Sequence, residues 1–323
     1  MTSTATPAIG ADEIAAFREL HTRLGDAVAT ALLGKRDVVD LVLVSLFAGG
    51  HVLLEDVPGT GKTTLARAVA AALGGVSRRV QLTPDLLPSD LTGAPVYDPQ
   101  TGQVRFRPGP VFANVLLADE LNRASARTQS ALLEVMAEGT VTADGVTHAV
   151  PAPFLVVATQ NPVDLDGTYR LPEAQLDRFA LRTALGYPDA PHELDVLRPG
   201  SGAGRVSAVP TVTSPQVVAD HGRRLAAVHV PEPVLRHLTD LAATTRTDPR
   251  LRLGVSTRGL RSLVRCAQVL AATRGRHTVE PGDVRELVDP VLAHRLQLTR
   301  QAQLAGVTTT EVLAEAAAAL GDR

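Results

Sequence analysis

His51-Val52-Leu53-Leu54-Glu55-Asp56-Val57-Pro58-Gly59-Thr60-Gly61-Lys62-Thr63-Thr64 is the stretch whose reading decides the fold. It opens with an apolar run of strand length. Beyond Lys62, Leu65, Ala68, Val69, Ala72 and Leu73 recur at helical spacing until Gly74-Gly75 supplies a C-terminal cap. The glycine-rich turn between strand and helix carries the chemistry. Gly59 and Gly61 let the backbone wrap with its N–H groups inward, and the helix N-terminus adds positive potential, so the turn suits a polyphosphate. Lys62 would reach the β- and γ-phosphates, and the Thr63 hydroxyl would bind Mg²⁺. The strict pattern GxxxxGK[ST] asks for glycine at position 56, where this chain has Asp56; the amide cradle from Pro58 to Thr63 is intact, with Thr64 next on the helix. A glycine-rich turn that binds nothing is the alternative reading.

Outward from this turn, apolar runs at 51–54, 79–81, 115–118, 154–159 and 181–185 alternate with helical segments. Continuous apolar strands separated by helices indicate a parallel sheet covered on both faces, hence an α/β domain. Residues 11–48 precede it with helical periodicity broken at Gly34. The character changes near Gly186-Tyr187-Pro188. Beyond a Gly/Ser/Pro-rich segment at about 199–215 the pattern is helical with no strong strand signal: Leu260, Leu263, Val264, Ala267 and Leu270 make one face, and Pro281-Gly282-Asp283 opens another helix. The expected organisation is a flexible N-terminus at 1–12, an α/β core at 13–188 and a small helical domain at 189–323, joined through a linker at about 199–215.

A phosphate loop alone serves many enzymes, and Val115-Leu116-Leu117-Ala118-Asp119-Glu120 narrows them. An apolar strand ending in two acids places Asp119 towards Mg²⁺ and leaves Glu120 free to polarise a water in line with the γ-phosphate, because successive strand side chains point opposite ways. Two acids that merely solvate a strand end are the alternative. The run at 154–159 leads into Gln160-Asn161-Pro162, where Asn161 is placed to hold the attacking water, or simply forms a turn before proline.

Composition limits the functions open to the chain. Its 323 residues, 45% hydrophobic and 20% charged, suit about two globular domains. The net charge of −2 lacks the basic excess of a protein held mainly by nucleic-acid phosphates or anionic lipid. A single cysteine, Cys266, excludes an intramolecular disulfide and reads as a core thiol. No secretory leader or membrane-length apolar stretch is evident, so the expected location is the cytoplasm.

The residues quoted so far, together with QLTPDLLPSDLTG (81–93), RPGPVFANVLLADELNRASARTQSALLEVMAEG (107–139) and ATQNPVDLDGTYRLPEAQLDRF (158–179), resemble AAA+ ATPases and, within them, the MoxR family, over about 33–295. That resemblance implies a five-stranded parallel sheet followed by a small all-helical lid. ATP and Mg²⁺ would lie at the junction of both domains and of two subunits, in a ring, usually a hexamer. It casts Asn161 as sensor 1, Arg178 as the arginine finger reaching a neighbour's γ-phosphate, and Arg258 as sensor 2, with Thr257 where the family often has proline. Leu33 and Gly34, just before Lys35, resemble the segment that packs on adenine. Arg123 either acts across the interface or serves as a salt bridge or cap.

Two insertions look like the family's hairpins: residues 96–106 around Pro99-Gln100-Thr101-Gly102, and residues 141–150 with Asp144-Gly145 at the turn. In related rings they face the pore or the client. The expected function is chaperone-like remodelling of a partner protein, with a von Willebrand factor A domain protein in trans, since this chain has no DxSxS motif of its own. A nucleic-acid motor is the alternative, disfavoured because the second hairpin carries no Lys or Arg and the first only Arg105. A non-hydrolysing nucleotide-dependent scaffold would not need Glu120, Asn161 and Arg178.

Overall fold

The computed structural model describes residues 9–160, 171–197 and 203–321. In chain order the elements begin with α1 (Ala11–Ala29), α2 (Arg36–Ala48), β1 (Val52–Glu55), α3 (Lys62–Ala72), β2 (Ser77–Gln81) and α4 (Pro88–Thr92). Next come β3 (Gly93–Asp98), β4 (Gln103–Pro108), β5 (Val115–Asp119), α5 (Ala126–Glu138), β6 (Thr140–Ala143), β7 (Val146–Ala149), β8 (Leu155–Gln160), α6 (Glu173–Leu176) and β9 (Leu181–Thr183). The rest is α7 (Ala190–Leu197), α8 (Ala203–Ser207), α9 (Pro215–Leu225), α10 (Glu232–Thr247), β10 (Leu251–Leu253), α11 (Thr257–Thr273), α12 (Pro281–Leu292), β11 (Gln297–Leu298), α13 (Arg300–Leu304) and α14 (Thr309–Gly321).

Five parallel strands form the main sheet in the order β2-β5-β8-β1-β9. The chain leaves β1 for the far edge at β2, returns through β5 and β8, and passes β1 to reach β9. β1 therefore lies at the topological switch point, where open α/β sheets bind ligands beyond the strand ends. Alternation along the buried strands splits the core between the two faces. Val52, Leu54, Val115, Leu117, Leu155, Val157 and Leu181 pack with α1, α2, α3 and the C-terminal helices. Leu53, Leu116, Ala118, Val156 and Ala158 pack with Leu91 of α4 and with Leu132, Leu133 and Met136 of α5.

The helical domain reaches this sheet by the far end of α3. Val212 N–H donates to the Ala72 carbonyl at 2.8 Å and the Thr211 hydroxyl to that of Ala71, so the segment after α8 runs along the C-terminus of α3, away from the glycine-rich turn. α9 and α11 then pack on α2, and α11 also on α1. Phe17 of α1 meets Phe47 of α2 edge-on at 4.9 Å, both fully buried. Cys266 on α11 is buried, and burial pushes its thiol up to about 12, which makes it inert core. The expectation of no strands here needs correcting. β10 and β11 form a two-stranded antiparallel sheet, but with three and two residues, 43 residues apart in sequence, they give no local period to read. Among the described residues no helix is long and apolar enough to cross a membrane.

Both insertions are antiparallel hairpins, β3–β4 and β6–β7. Asp144 and Gly145 both adopt positive φ, 49° and 76°, as a tight hairpin turn demands. The hairpins touch each other: the Phe106 ring stacks on His148 with centroids 4.1 Å apart and planes inclined by 10°. Val96, Tyr97, Val104 and Val146 remain exposed on them.

Two buried histidines fasten the core. Val156 N–H donates to His51 Nδ1 at 3.1 Å, which leaves Nε2 carrying the proton 3.0 Å from the Met136 carbonyl. His294 Nε2 lies 3.1 Å from the Phe179 carbonyl. Burial holds these imidazoles down at about 4 and about 3, so both stay neutral in the fold while the unfolded chain protonates them near 6.5. The unfolded state thus binds more protons in that window, and stability is full above about pH 6.5 and declines as pH falls towards 4. Urea unfolding at pH 7.5, 6 and 5 should show a falling midpoint; a midpoint unchanged from 7.5 to 5 would contradict this.

Candidate functional site

The glycine-rich turn closes the C-terminal end of β1. Gly59 and Gly61 have φ of +85° and +97°, a conformation in which a Cβ strains the backbone, and added Cβ atoms there would meet nothing at Gly59 and Leu32 Cδ1 at 3.2 Å at Gly61. α3 starts at Lys62 with Gly61 as its N-cap and no side-chain cap, so its first-turn N–H groups have no capping acceptor. Thr63 and Thr64 stand on that first turn. Pro58 is exposed, and the buried Thr60 donates to the Val57 carbonyl at 3.4 Å. Lys62 Nζ donates to the carbonyls of Val57 (2.8 Å) and Asp56 (3.2 Å), a cation folded over the entry of its own loop. Amide donors, open space and an ammonium group converge here, which fits a phosphate chain.

Asp56, the departure from the strict pattern, has its own task. It is buried, and its Oδ2 accepts the N–H groups of Leu185 (2.6 Å) and Gly186 (3.0 Å), while Oδ1 accepts that of Val57. The carboxylate thereby ties the loop to the segment leaving β9. Lys35 Nζ adds a bond to the Tyr187 carbonyl at 2.7 Å. With the Leu185 N–H bound to Asp56, β9 ends at Thr183 rather than running to 185.

Two strands away, Asp119 ends β5. The Thr159 hydroxyl donates to Asp119 Oδ1 at 2.6 Å and accepts the Glu120 N–H at 2.8 Å, so one hydroxyl on β8 fixes both acids. Arg79 on β2 pairs with Asp119 Oδ2 at 2.7 Å, and Arg123 Nη1 donates to Glu120 Oε2 at 2.8 Å. Glu120 does not continue the strand alternation expected of it. Glu120 has left the strand and sits at φ 57°, ψ 52°, a left-handed conformation rare for a non-glycine residue, which turns the chain into the short helical turn Leu121–Arg123. Of the two readings of Arg123, the structure displays the salt bridge. Asn161 lies outside the described residues.

The remaining residues sort into two neighbourhoods. Gly34, at φ +68°, lies so close to α7 that an added Cβ would be 2.7 Å from His192 Nδ1; Leu33 is half-buried beside it. Arg178 follows α6 and donates to the Leu133 carbonyl of α5 at 2.7 Å. Arg258, on the first turn of α11, stands 4.0 Å from Asp177, the residue before Arg178. The structure thus sets Arg258 beside the segment that carries Arg178.

The roles of Asp56, Arg79 and Thr159 were not legible in the sequence. Thr159 was visible only as a polar end to an apolar run, and Arg79 as a basic residue in a strand whose far edge is unpaired. Asp56→Gly would restore the strict loop pattern. It should nonetheless lower stability by about 1–3 kcal/mol, because the buried Leu185 N–H and the part-buried Gly186 N–H lose their acceptor; urea unfolding of the variant at neutral pH measures this, and a gain in stability would refute the role given to the carboxylate.

Comparison with known proteins agrees with this geometry. Residues 51–181 match the ATPase family associated with various cellular activities (AAA), and residues 243–316 match the AAA lid domain. The chain is 43% identical to the uncharacterized protein YeaC of Bacillus subtilis over 92% of this chain and 94% of that protein. It is 39% identical to chaperone MoxR1 of Mycobacterium tuberculosis over 92% and 80%. The crystal structure of a candidate ATPase from Cytophaga hutchinsonii superposes with a TM-score of 0.88 at 35% identity, covering 94% of this chain and 95% of that one. A phosphate loop at the switch point of a five-stranded parallel sheet, followed by a helical lid and matched along nearly the whole chain by such relatives, places this protein in the MoxR family of AAA+ ATPases.

Proposed function

We propose that this ATPase works as a Mg²⁺-dependent ring that couples ATP hydrolysis to remodelling of a partner protein. The observation that carries the reading is the Thr159 hydroxyl held between the Asp119 carboxylate and the Glu120 N–H, beside a loop with uncapped amides. The loop from Gly59 to Thr64 and Lys62 bind and orient the phosphates. Thr63 and Asp119 would hold Mg²⁺, which when bound neutralises phosphate charge. Glu120, steadied by Arg123, accepts a proton from the attacking water, and Asn161 helps to place that water. Leu33 and Gly34 receive the base. Arg178 and Arg258, neighbours through Asp177, are assigned together to the nucleotide of an adjacent subunit, which makes hydrolysis depend on assembly.

The chaperone-like role draws on the name of the Mycobacterium tuberculosis relative and on the two stacked hairpins, whose exposed side chains include Val96, Tyr97, Val104 and Val146. A protein client, with a von Willebrand factor A domain protein as partner, fits that apolar surface better than a phosphate backbone does. The expected setting is the cytoplasm.

Glu120→Gln should keep ATP binding and lose about 10²–10⁴-fold in turnover, whereas Lys62→Ala should lose binding. Equilibrium binding of a fluorescent ATP analogue and steady-state phosphate release, with Mg²⁺ and with excess EDTA, measure both. Normal turnover by purified Glu120→Gln, or by the wild type in EDTA, would sink this assignment.

A further inference from the structure

Asp177 is the meeting point of three groups from the lid. Arg295, in the helical turn Ala293–Arg295 after α12, donates to Asp177 Oδ1 at 2.7 Å. Ser256, the N-cap of α11, donates its hydroxyl to the same oxygen at 2.9 Å while accepting the Gly259 N–H. Arg258 lies 4.0 Å from Oδ2. Arg295 does more than pair: its guanidinium also donates to the Asp177 carbonyl at 3.1 Å and to the Phe179 carbonyl at 2.6 Å, and His294 Nε2 meets that same Phe179 oxygen. The carbonyls on both sides of Arg178 are thus held by the lid.

Burial makes this clasp stiff. The Arg295 side chain is 1% exposed and that of Asp177 18%, so separating them would strand a charge in the interior. Apolar side chains could join lid and core with less desolvation, and a buried pair is a weak source of net stability. What it adds is direction. Bonds to the carbonyls of Asp177 and Phe179, one on each side of Arg178, fix the orientation of the chain there, which nonpolar contacts cannot do. Arg178 itself rests on the Leu133 carbonyl through one part-buried hydrogen bond, which in the proposed ring gives way to a phosphate.

We propose that Asp177 and Arg295 are positioning residues for ATP hydrolysis, locking the peptide that carries Arg178 to the lid so that the lid of one subunit sets the reach of its arginine into the neighbouring nucleotide site. The proposal rests on the reading of Arg178 as a finger acting in trans.

The test mixes inactive subunits. Asp177→Asn should bind the fluorescent ATP analogue within about twofold of wild type, yet lose about ten- to a hundredfold in kcat, the cost of a small misplacement of a reacting group. Adding Lys62→Ala subunits, which bring an intact finger to the intact Asp177→Asn pocket, should restore turnover; adding Arg178→Ala subunits should not. Asp177→Glu should regain part of the activity. Should Asp177→Asn fail to fold, Arg295→Lys, which keeps the buried charge but loses the planar fork, goes through the same mixing with the same expected pattern. Wild-type turnover by these variants, rescue by both partners, or rescue by neither would overturn the proposal. The control mixture of Arg178→Ala with Lys62→Ala separates the two ideas: if it shows no rescue in co-assembled rings, the finger reading itself falls, and if it does, failure belongs to the clasp alone.

Discussion

An open helix N-terminus at the switch point of the sheet is the constraint on which the rest of this molecule depends. α3 begins at Gly61 with no side-chain cap, as α2 and α10 begin at Lys35 and Pro231 without one, and what sets α3 apart is that it starts just beyond β1, after two glycines of positive φ. First-turn N–H groups at that place, with open space around Gly59, suit an anionic ligand. The surroundings follow from it. Lys62 rests on carbonyls of its own loop, Asp56 anchors the loop entry to the segment leaving β9, and Thr159 holds the two acids at the far strand.

The route of the lid is the second consequence. The segment leaving β9 is tied to the loop entry at Asp56, and after α8 the chain runs along the C-terminal end of α3 at Val212 before α9 and α11 dock on α2. That route carries Arg258 and Arg295 to the Asp177–Arg178 segment. In the proposed function, nucleotide at the loop beyond β1 and an arginine offered from the segment before β9 would give each subunit an acceptor side and a donor side, which closes into a ring when repeated head to tail.

Much of this was legible in sequence because the signals are local. Parallel strands buried on both faces read as apolar runs, α11 shows its face at Leu263, Ala267 and Leu270, and Asp144-Gly145 marks a hairpin through its backbone preference alone. What escaped detection depends on partners distant in the chain. Asp56 finds its partners 129 and 130 residues later, and Arg295 finds Asp177 118 residues earlier. Neither spacing has a period. Glu120 was placed on the right end of the right strand but with the wrong backbone, since alternation holds only while the strand continues, and pairing stops at Asp119. β10 and β11 are too short to produce a pattern.

A structure of the assembled protein with Mg²⁺ and a non-hydrolysable ATP analogue tests the central claim most directly. The account predicts Lys62 Nζ released from the carbonyls of Asp56 and Val57 and bound to phosphate oxygens, with a neighbour's Arg178 released from Leu133 and directed at the same nucleotide. Nucleotide seated away from the Gly59–Thr64 loop, or held there with Lys62 still on its own carbonyls, would contradict it.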